Sequence, residues 1–409
     1  MELIRSNLKD FLIIAAGSFL IFFVSIKGWI NSINSDLNLS FTYLIYLIFL
    51  ILCLINFNNL LNYSKFLIKR NIKSLDFNIL LSILIFFFIQ QKINFYALSF
   101  LSIYFYINSI VFCTTNFYRD YRYMYLSIII TGVLTSIGVV IGVLEAIFLE
   151  TNIFFKIKSN YPGFLPFDKH FSGFQYTYNY TAYLIIAALG LIGLLKNNNN
   201  LHKIFVFLFL FTLLLTQSKV SYLYIALLMV FSFKVNFFKD YRYLLAIGLS
   251  LGYLLLAHLT FKLHGSDLNL SYYLREEKFM LFDVKAYSTL FLWLKEEFFQ
   301  YIFTFNLNEI SMSGYQANTE GTEPHSLLLS SYLFGGTIFS FLILYRLLMN
   351  FVNFLHNSHT YNAFFISSVL TILIESIIWD AYDSPIFWLI ILLCPFFNKF
   401  MEERSKLYD

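Results

Sequence analysis

Apolar runs long enough to cross a lipid bilayer recur along almost the whole chain, separated by short polar breaks. They fall at 11–30, 40–57, 76–91, 93–113, 124–149, 178–195, 203–217, 219–233, 242–261, 325–350, 361–379 and 384–400. A spanning helix needs about 20 mostly apolar residues, with a range near 17–25. Most of these runs meet that length. The shortest are 203–217 and 219–233, which are divided by Thr216-Gln217-Ser218-Lys219. This pair reads as a helical hairpin whose polar turn lies below the membrane surface. The pattern predicts an all-α, polytopic transmembrane helix bundle of about 12 spans, with residues 1–409 as a single integral membrane domain.

Two polar segments are too long to be simple turns: an outer loop at 150–177 and a large outer loop at 261–324, just before the tenth span. Within the second, 274–303 mixes charges with Phe, Leu, Tyr and Trp293, the pattern of amphipathic helices lying on a membrane surface. Residues 311–322 are polar, contain Gly314 and Gly321, and read as a flexible strip. Loops of this kind concentrate function, because a scaffold that only spans lipid does not need them. No internal repeat is visible, and the two halves differ in loop length, unlike an inverted-repeat transporter.

Composition agrees with the pattern. Hydrophobic residues make up 59% of the 409 positions and charged residues only 13%, against about 25% charged in soluble domains. The mean hydropathy is +0.69. Phe (51) and Tyr (30) are heavily used while Gly (16) and Pro (5) are scarce, which excludes collagen-like and disordered chains. A net charge of +4 carries no signature of nucleic-acid binding. Cys53, Cys113 and Cys394 lie in or beside apolar runs without metal-ligand spacing, so neither a disulfide nor a zinc site is expected. Met1–Asp10 is charged and no small-residue cleavage site follows the first apolar run, so no cleavable signal is expected.

Charge sets an expected orientation. With both termini in the cytoplasm, seventeen Lys/Arg, among them Arg5, Lys65, Lys69, Arg70, Arg122, Lys203, Arg346 and Arg404, fall on the inner side. The short outer loops hold six: Lys27, Lys92, Lys156, Lys158, Lys169 and Lys219. This is the positive-inside bias, and it requires both halves of the short hairpin to span.

Four stretches carry candidate chemistry. Glu323-Pro324-His325-Ser326 opens the tenth span, with Gly335-Gly336 following. Pro324 suits the first position of a helix. His325 then sits in the first turn, beside backbone N–H groups that favour anions, and its imidazole titrates near neutral pH. It can serve as a general base on a sugar hydroxyl. An interfacial histidine without a chemical role fits the same pattern, and the glycine pair equally fits close helix packing. In Thr216-Gln217-Ser218-Lys219, a lysine near membrane depth marks a binding site or snorkels to headgroups. Lys169-His170-Phe171-Ser172-Gly173, leading to Tyr178-Asn179-Tyr180, places cations before a glycine turn, fit for phosphate or for an ordinary capped loop. Arg275 and Lys285 in the large loop face a phosphate or simply water. Glu145 and Glu375 lie in or near spans and are expected to face the bundle interior. The remaining histidines form no cluster, and no glycine-rich phosphate loop or Ser-His-Asp spacing occurs.

With these residues on the page, the chain resembles the O-antigen polymerase and O-antigen ligase superfamily of lipid-to-sugar glycosyltransferases. That family has many spans and a large outer loop before a late helix carrying a histidine, ten residues and a glycine; His325 and Gly336 match it, with Ser326 where Asn is common. A Thr-x-Ser-Arg-like turn of the family resembles Thr216-Gln217-Ser218-Lys219, with Lys in place of Arg. A stretch of arginine, glycine and an asparagine entering a helix resembles His170 to Asn179 loosely. A basic residue opening the loop helix corresponds to Lys285 or Arg275.

The resemblance implies a metal-independent enzyme, without cofactor, of the bacterial inner membrane. Its site faces the periplasm. The donor is a glycan on undecaprenyl pyrophosphate. Lys219, with Arg275 or Lys285, and with Lys169 and His170 nearby, holds the pyrophosphate. Glu323, Gly336, Gln217 and Asn179 support the site. His325 takes the proton from the acceptor hydroxyl as it attacks the anomeric carbon, inverting it. The partners implied are the lipid-linked oligosaccharide, the bilayer and a chain-length regulator protein. The activity expected is repeat-unit polymerisation. The alternatives are ligation of glycan to lipid A–core and, in a different class, a non-catalytic glycolipid flippase or transporter. The Phe-rich chain and degenerate motifs favour the polymerase.

Overall fold

The computed structural model describes residues 2–33, 35–70, 73–90, 95–113, 117–148, 155–157, 169–175, 178–194, 200–232, 244–252, 327–357 and 362–378. The span expected at 384–400, the rest of the 242–261 run, the 261–324 loop with Arg275, Lys285 and Glu323, and His325 itself lie outside the described residues.

The described chain is almost entirely helical. Its helices are α1 (Glu2–Ile33), α2 (Ser35–Ile55), α3 (Phe57–Arg70), α4 (Leu75–Gln90), α5 (Phe95–Cys113), α6 (Phe117–Phe148), α7 (Tyr178–Leu194), α8 (Asn200–Thr216), α9 (Lys219–Ser232), α10 (244–252), α11 (Leu327–Asn357) and α12 (Ala363–Ile378). Polar residues in the breaks start them. Ser74 caps α4 through its Oγ, which accepts from Phe77 N at 3.5 Å, and Asn362 caps α12 by accepting from Phe365 N at 2.9 Å. The expected 150–177 loop differs from a purely irregular one. It contains an antiparallel ribbon of β1 (Phe155–Ile157) and β2 (Lys169–Phe171), with Lys156 opposite His170.

Small and hydroxylated residues set how the helices cross. Ser127 Oγ donates to Ile14 O at 3.2 Å and Thr131 Oγ1 to Ser18 O at 3.3 Å, so α1 and α6 run parallel, with Gly17 leaving room for Ser127. Ser368 Oγ donates to Ile186 O at 2.6 Å, and Asn362 Nδ2 donates to Gly193 O, so α7 and α12 run antiparallel. Gly190 and Gly193 lie against Ser368 and Asn362, where a methyl group would collide. These are the close small-residue contacts that hold helices together without a hydrophobic driving force. Thr181 to Ile192 of α7 are buried all round, and α6, α8, α9 and α12 surround them. A helix apolar on every side belongs at the centre of a bundle.

The outer surface is the reverse of a soluble bundle. On α6 the buried face carries Ser127, Thr131, Thr135 and Ser136 among Ile128, Ile129 and Val139, while the exposed stripe is Ile130, Leu134, Ile137, Ile141, Leu144 and Phe148. Phe11, Leu47, Leu84, Phe207, Met229 and Phe341 are likewise exposed on other helices. Within α6, Tyr125–Phe148 is long and apolar enough to cross a membrane by length and composition, and Tyr43–Ile55 with Phe57–Arg70 passes together as a pair bent by 75°. Shorter apolar stretches lie within α1, α4, α5, α7, α8, α9, α11 and α12.

The residues read as a hairpin do form two helices, but these diverge. α8 packs on α6 and α7, whereas α9 packs on α7 and α12, with little contact between α8 and α9. α11 is not straight either. Ser331 Oγ and Ser340 Oγ are 2.9 Å apart, although nine residues of straight helix rise about 13 Å. The helix therefore bends between them, in the segment that holds Gly335 and Gly336, as glycine pairs permit.

Candidate functional site

One end of the bundle gathers polar side chains from separate elements: the end of α8, the starts of α7 and α9, β2 with the turn after it, and the last turns of α6 and α12. The turn after β2 is built against α6. Gly173 has φ +57°, and a Cβ there would lie 2.8 Å from Val139 N and 3.0 Å from Thr135 O. Only glycine combines that conformation with so close an approach. Phe174 fits over Gly138, and its ring meets Phe22 edge-on with centroids 5.8 Å apart. Gln175 Nε2 donates to Thr135 Oγ1 at 3.3 Å, and Thr181 Oγ1 donates to Ser172 O at 2.6 Å. The turn is thereby tied to both α6 and α7.

His170 is 5% exposed. Its ring stacks on Tyr178, with centroids 4.1 Å apart and planes at 13°. Nδ1 lies 3.1 Å from Thr216 O, the last carbonyl of α8. A carbonyl only accepts, so Nδ1 carries the proton, and in the neutral ring Nε2 is the basic nitrogen.

The α8–α9 turn is held from within. Thr216 Oγ1 donates to Leu213 O at 2.7 Å, so Ser221 Oγ, 2.9 Å away, is the donor to Thr216 Oγ1. Gln217 adopts φ +49° and is buried. Non-glycine residues accept that conformation only where the surroundings enforce it. Ser218 Oγ donates to Asn179 Oδ1 at 2.6 Å, joining the turn to the start of α7. Lys219, half-buried, opens α9 at the positive end of the helix dipole, the less favoured end for a cation. The Glu375 carboxylate, buried near the end of α12, lies within electrostatic reach of the Lys219 ammonium.

Of the residues singled out in the sequence, His170, Asn179, Gln217 and Lys219 meet here, and Lys169 lies on β2 beside them. Gly336 falls in α11, whose described part begins two residues after His325. Glu323, Arg275 and Lys285 lie outside the described residues. Both Glu145 and Glu375 are buried, as expected for acidic residues in apolar helices. The role of Glu375 beside Lys219 was not assigned from sequence, although an acid in so apolar a helix was its signal.

A second polar cluster lies at the other end. Asp76 of α4 accepts from Tyr104 OH at 2.7 Å and pairs with Arg346 of α11 at 3.8 Å; Arg346 also reaches Asn108 Oδ1 at 3.4 Å. Tyr63 of α3 lies close by. Burial, and then the Asp76 carboxylate, pushes its hydroxyl pKa well up, so it stays protonated. This cluster binds α4, α5 and α11 together. It is an internally matched pair rather than an open site.

Comparison with known proteins adds no relative: no family model matches the chain, and no curated protein or solved structure is significantly similar to it.

Proposed function

We propose that this chain is a polytopic membrane protein of about 12 spans in a bacterial inner membrane, and that it polymerises polysaccharide repeat units. The termini and α3 face the cytoplasm, and the Lys219 end faces the periplasm. The apolar exterior of α6 supports the membrane location, because such a surface is stable in lipid and not in water. The consistent up-and-down placement of α6, α7, α8, α9 and α12 supports multiple crossings.

The observation that carries the catalytic reading is the convergence at the α8–α9 turn. The 170–179 stretch, which resembles one motif of the family loosely, and the 216–219 turn, which resembles another with Lys in place of Arg, are joined by the His170–Thr216 and Ser218–Asn179 hydrogen bonds. Lys219 adds an ammonium to the N–H groups at the start of α9, a combination suited to a pyrophosphate. The donor is a glycan on undecaprenyl pyrophosphate. His325 accepts the proton of the acceptor sugar hydroxyl as its oxygen attacks the anomeric carbon. The bond from that carbon to the pyrophosphate oxygen breaks, and undecaprenyl pyrophosphate leaves with its charge offset by Lys219 and by Arg275 or Lys285. The anomeric centre inverts.

The test is a glycan ladder from cells carrying His325→Ala. The expected result is loss of long-chain polysaccharide with normal protein level and intact lipid-linked single units. Normal chain length in that variant overturns the role of His325. A single repeat on lipid A–core identifies a polymerase; absent glycan on core with lipid-linked polymer accumulating identifies a ligase instead.

A further inference from the structure

The segment between the second and third apolar runs was read as a cytoplasmic loop, but it folds as α3. The chain leaves α2 at Asn56, whose Nδ2 donates to Leu52 O at 3.0 Å and to Tyr106 OH at 3.0 Å and whose carbonyl starts the next turn. α3 then departs at 75° to α2. A helix that follows a spanning one at such an angle lies along the bilayer plane, not through it.

α3 has three faces. Tyr63 and Leu67 are buried; Tyr63 and Phe66 pack at a tilt against rings of α5, Tyr63 on Phe105 with centroids at 5.1 Å and Phe66 on Phe112 at 4.3 Å. Phe57, Leu61 and Ile68 form a second stripe that is exposed and apolar. Asn58, Asn62, Lys65 and Lys69 form a third, exposed and polar, about 90° further round the helix. Arg70 follows, its guanidinium 5.1 Å from the Phe66 ring centroid, and Lys73 is exposed just beyond. No Asp or Glu occurs between Phe57 and Lys73, and neither Lys65 nor Lys69 has an acidic partner among the described residues. Water on all sides would leave the apolar stripe exposed, and hydrocarbon would strip water from the lysines. A helix with both stripes is at rest only at the boundary, with its basic stripe among headgroups.

We propose that α3 binds the headgroups of anionic phospholipids through Lys65, Lys69 and Arg70, with Phe57, Leu61 and Ile68 inserted among the acyl chains. The occupant is a bilayer surface, because the apolar stripe adjoining the basic one has no use for a free phosphate. The proposal rests on the membrane location above and is independent of glycosyl transfer.

The experiment uses the full-length chain in nanodiscs of equal phosphatidylglycerol and phosphatidylcholine, with spin-labelled versions of each lipid reporting the motionally restricted fraction. The expected result is a preference for phosphatidylglycerol of about five-fold or more, the factor for one basic residue near an anionic surface. It should fall toward parity in Lys65→Gln/Lys69→Gln/Arg70→Gln. These side chains lie outside the core, so folding should persist, checked by circular dichroism. Lys203→Gln, on α8, should keep the preference. Equal selectivity in the wild type and the triple variant overturns the proposal. Failure of the chain to enter nanodiscs at all overturns the membrane location on which it stands.

Discussion

His170 Nδ1 donates to the carbonyl of Thr216 across 3.1 Å, joining residues 46 positions apart. Through this bond the ribbon ahead of α7 grips the last residue of α8, and Tyr178 closes over the imidazole at 4.1 Å. The geometry of the Lys219 turn therefore depends on a residue in another loop.

Replacing His170 should loosen that turn. His170→Ala removes the hydrogen bond and leaves the buried Thr216 carbonyl without its imidazole donor. A loss of about 1–3 kcal/mol is expected, read as a lower midpoint in thermal unfolding of the detergent-solubilised protein. If the site is the one proposed, polymer length falls too, even though His170 itself is buried. An unchanged midpoint excludes this structural role.

Lys219 separates charge from shape. Lys219→Ala should severely reduce polymer formation, whereas Lys219→Arg should retain it, because a guanidinium also holds phosphate and does so bidentately. Gel profiles of surface glycan decide between them. Equal activity in the alanine variant rules out a pyrophosphate contact.

Gly173 is constrained twice, by φ +57° and by a Cβ position 2.8 Å from Val139 N. Gly173→Ala should cost roughly 1–3 kcal/mol, the range for a strained backbone conformation. The neighbouring exposed Tyr180→Ala should cost much less. Thermal midpoints of the two variants provide the comparison.

At the opposite end, removing one member of the Asp76–Arg346 pair strands the other among buried side chains. Asp76→Ala or Arg346→Ala should each cost about 1–3 kcal/mol. Asp76→Leu/Arg346→Met should recover much of that, as matched apolar replacements of paired charges do. A double-mutant cycle on unfolding midpoints measures the coupling. Strict additivity means the pair contributes nothing.

How much of this was legible follows from range. The apolar runs at 178–195, 203–217 and 361–379 forecast α7, α8 and α12 within a few residues, because burial in apolar surroundings acts on each run by itself. Glycine and hydroxyl residues flagged the turns at Gly173 and Ser218 for the same local reason. The ribbon Phe155–Ile157 with Lys169–Phe171 was not forecast, since two three-residue strands leave almost no periodic signal. Nor was α3, where a few lysines concealed an amphipathic helix in an apparent loop. The divergence of α8 from α9 was hidden as well, because two helices separated by one polar turn read as a hairpin whether or not they pack together.

By itself the sequence determined the helical character and the polar breaks, both products of local hydropathy and turn preference. Tertiary structure alone decided that His170, Asn179, Thr216 and Ser218 share one network, that Glu375 attends Lys219, and that Arg346 answers Asp76 from 270 positions away. Those pairings depend on how helices rotate and cross. Rotation is set by where small residues let two backbones approach, a condition met between helices and absent from any one of them.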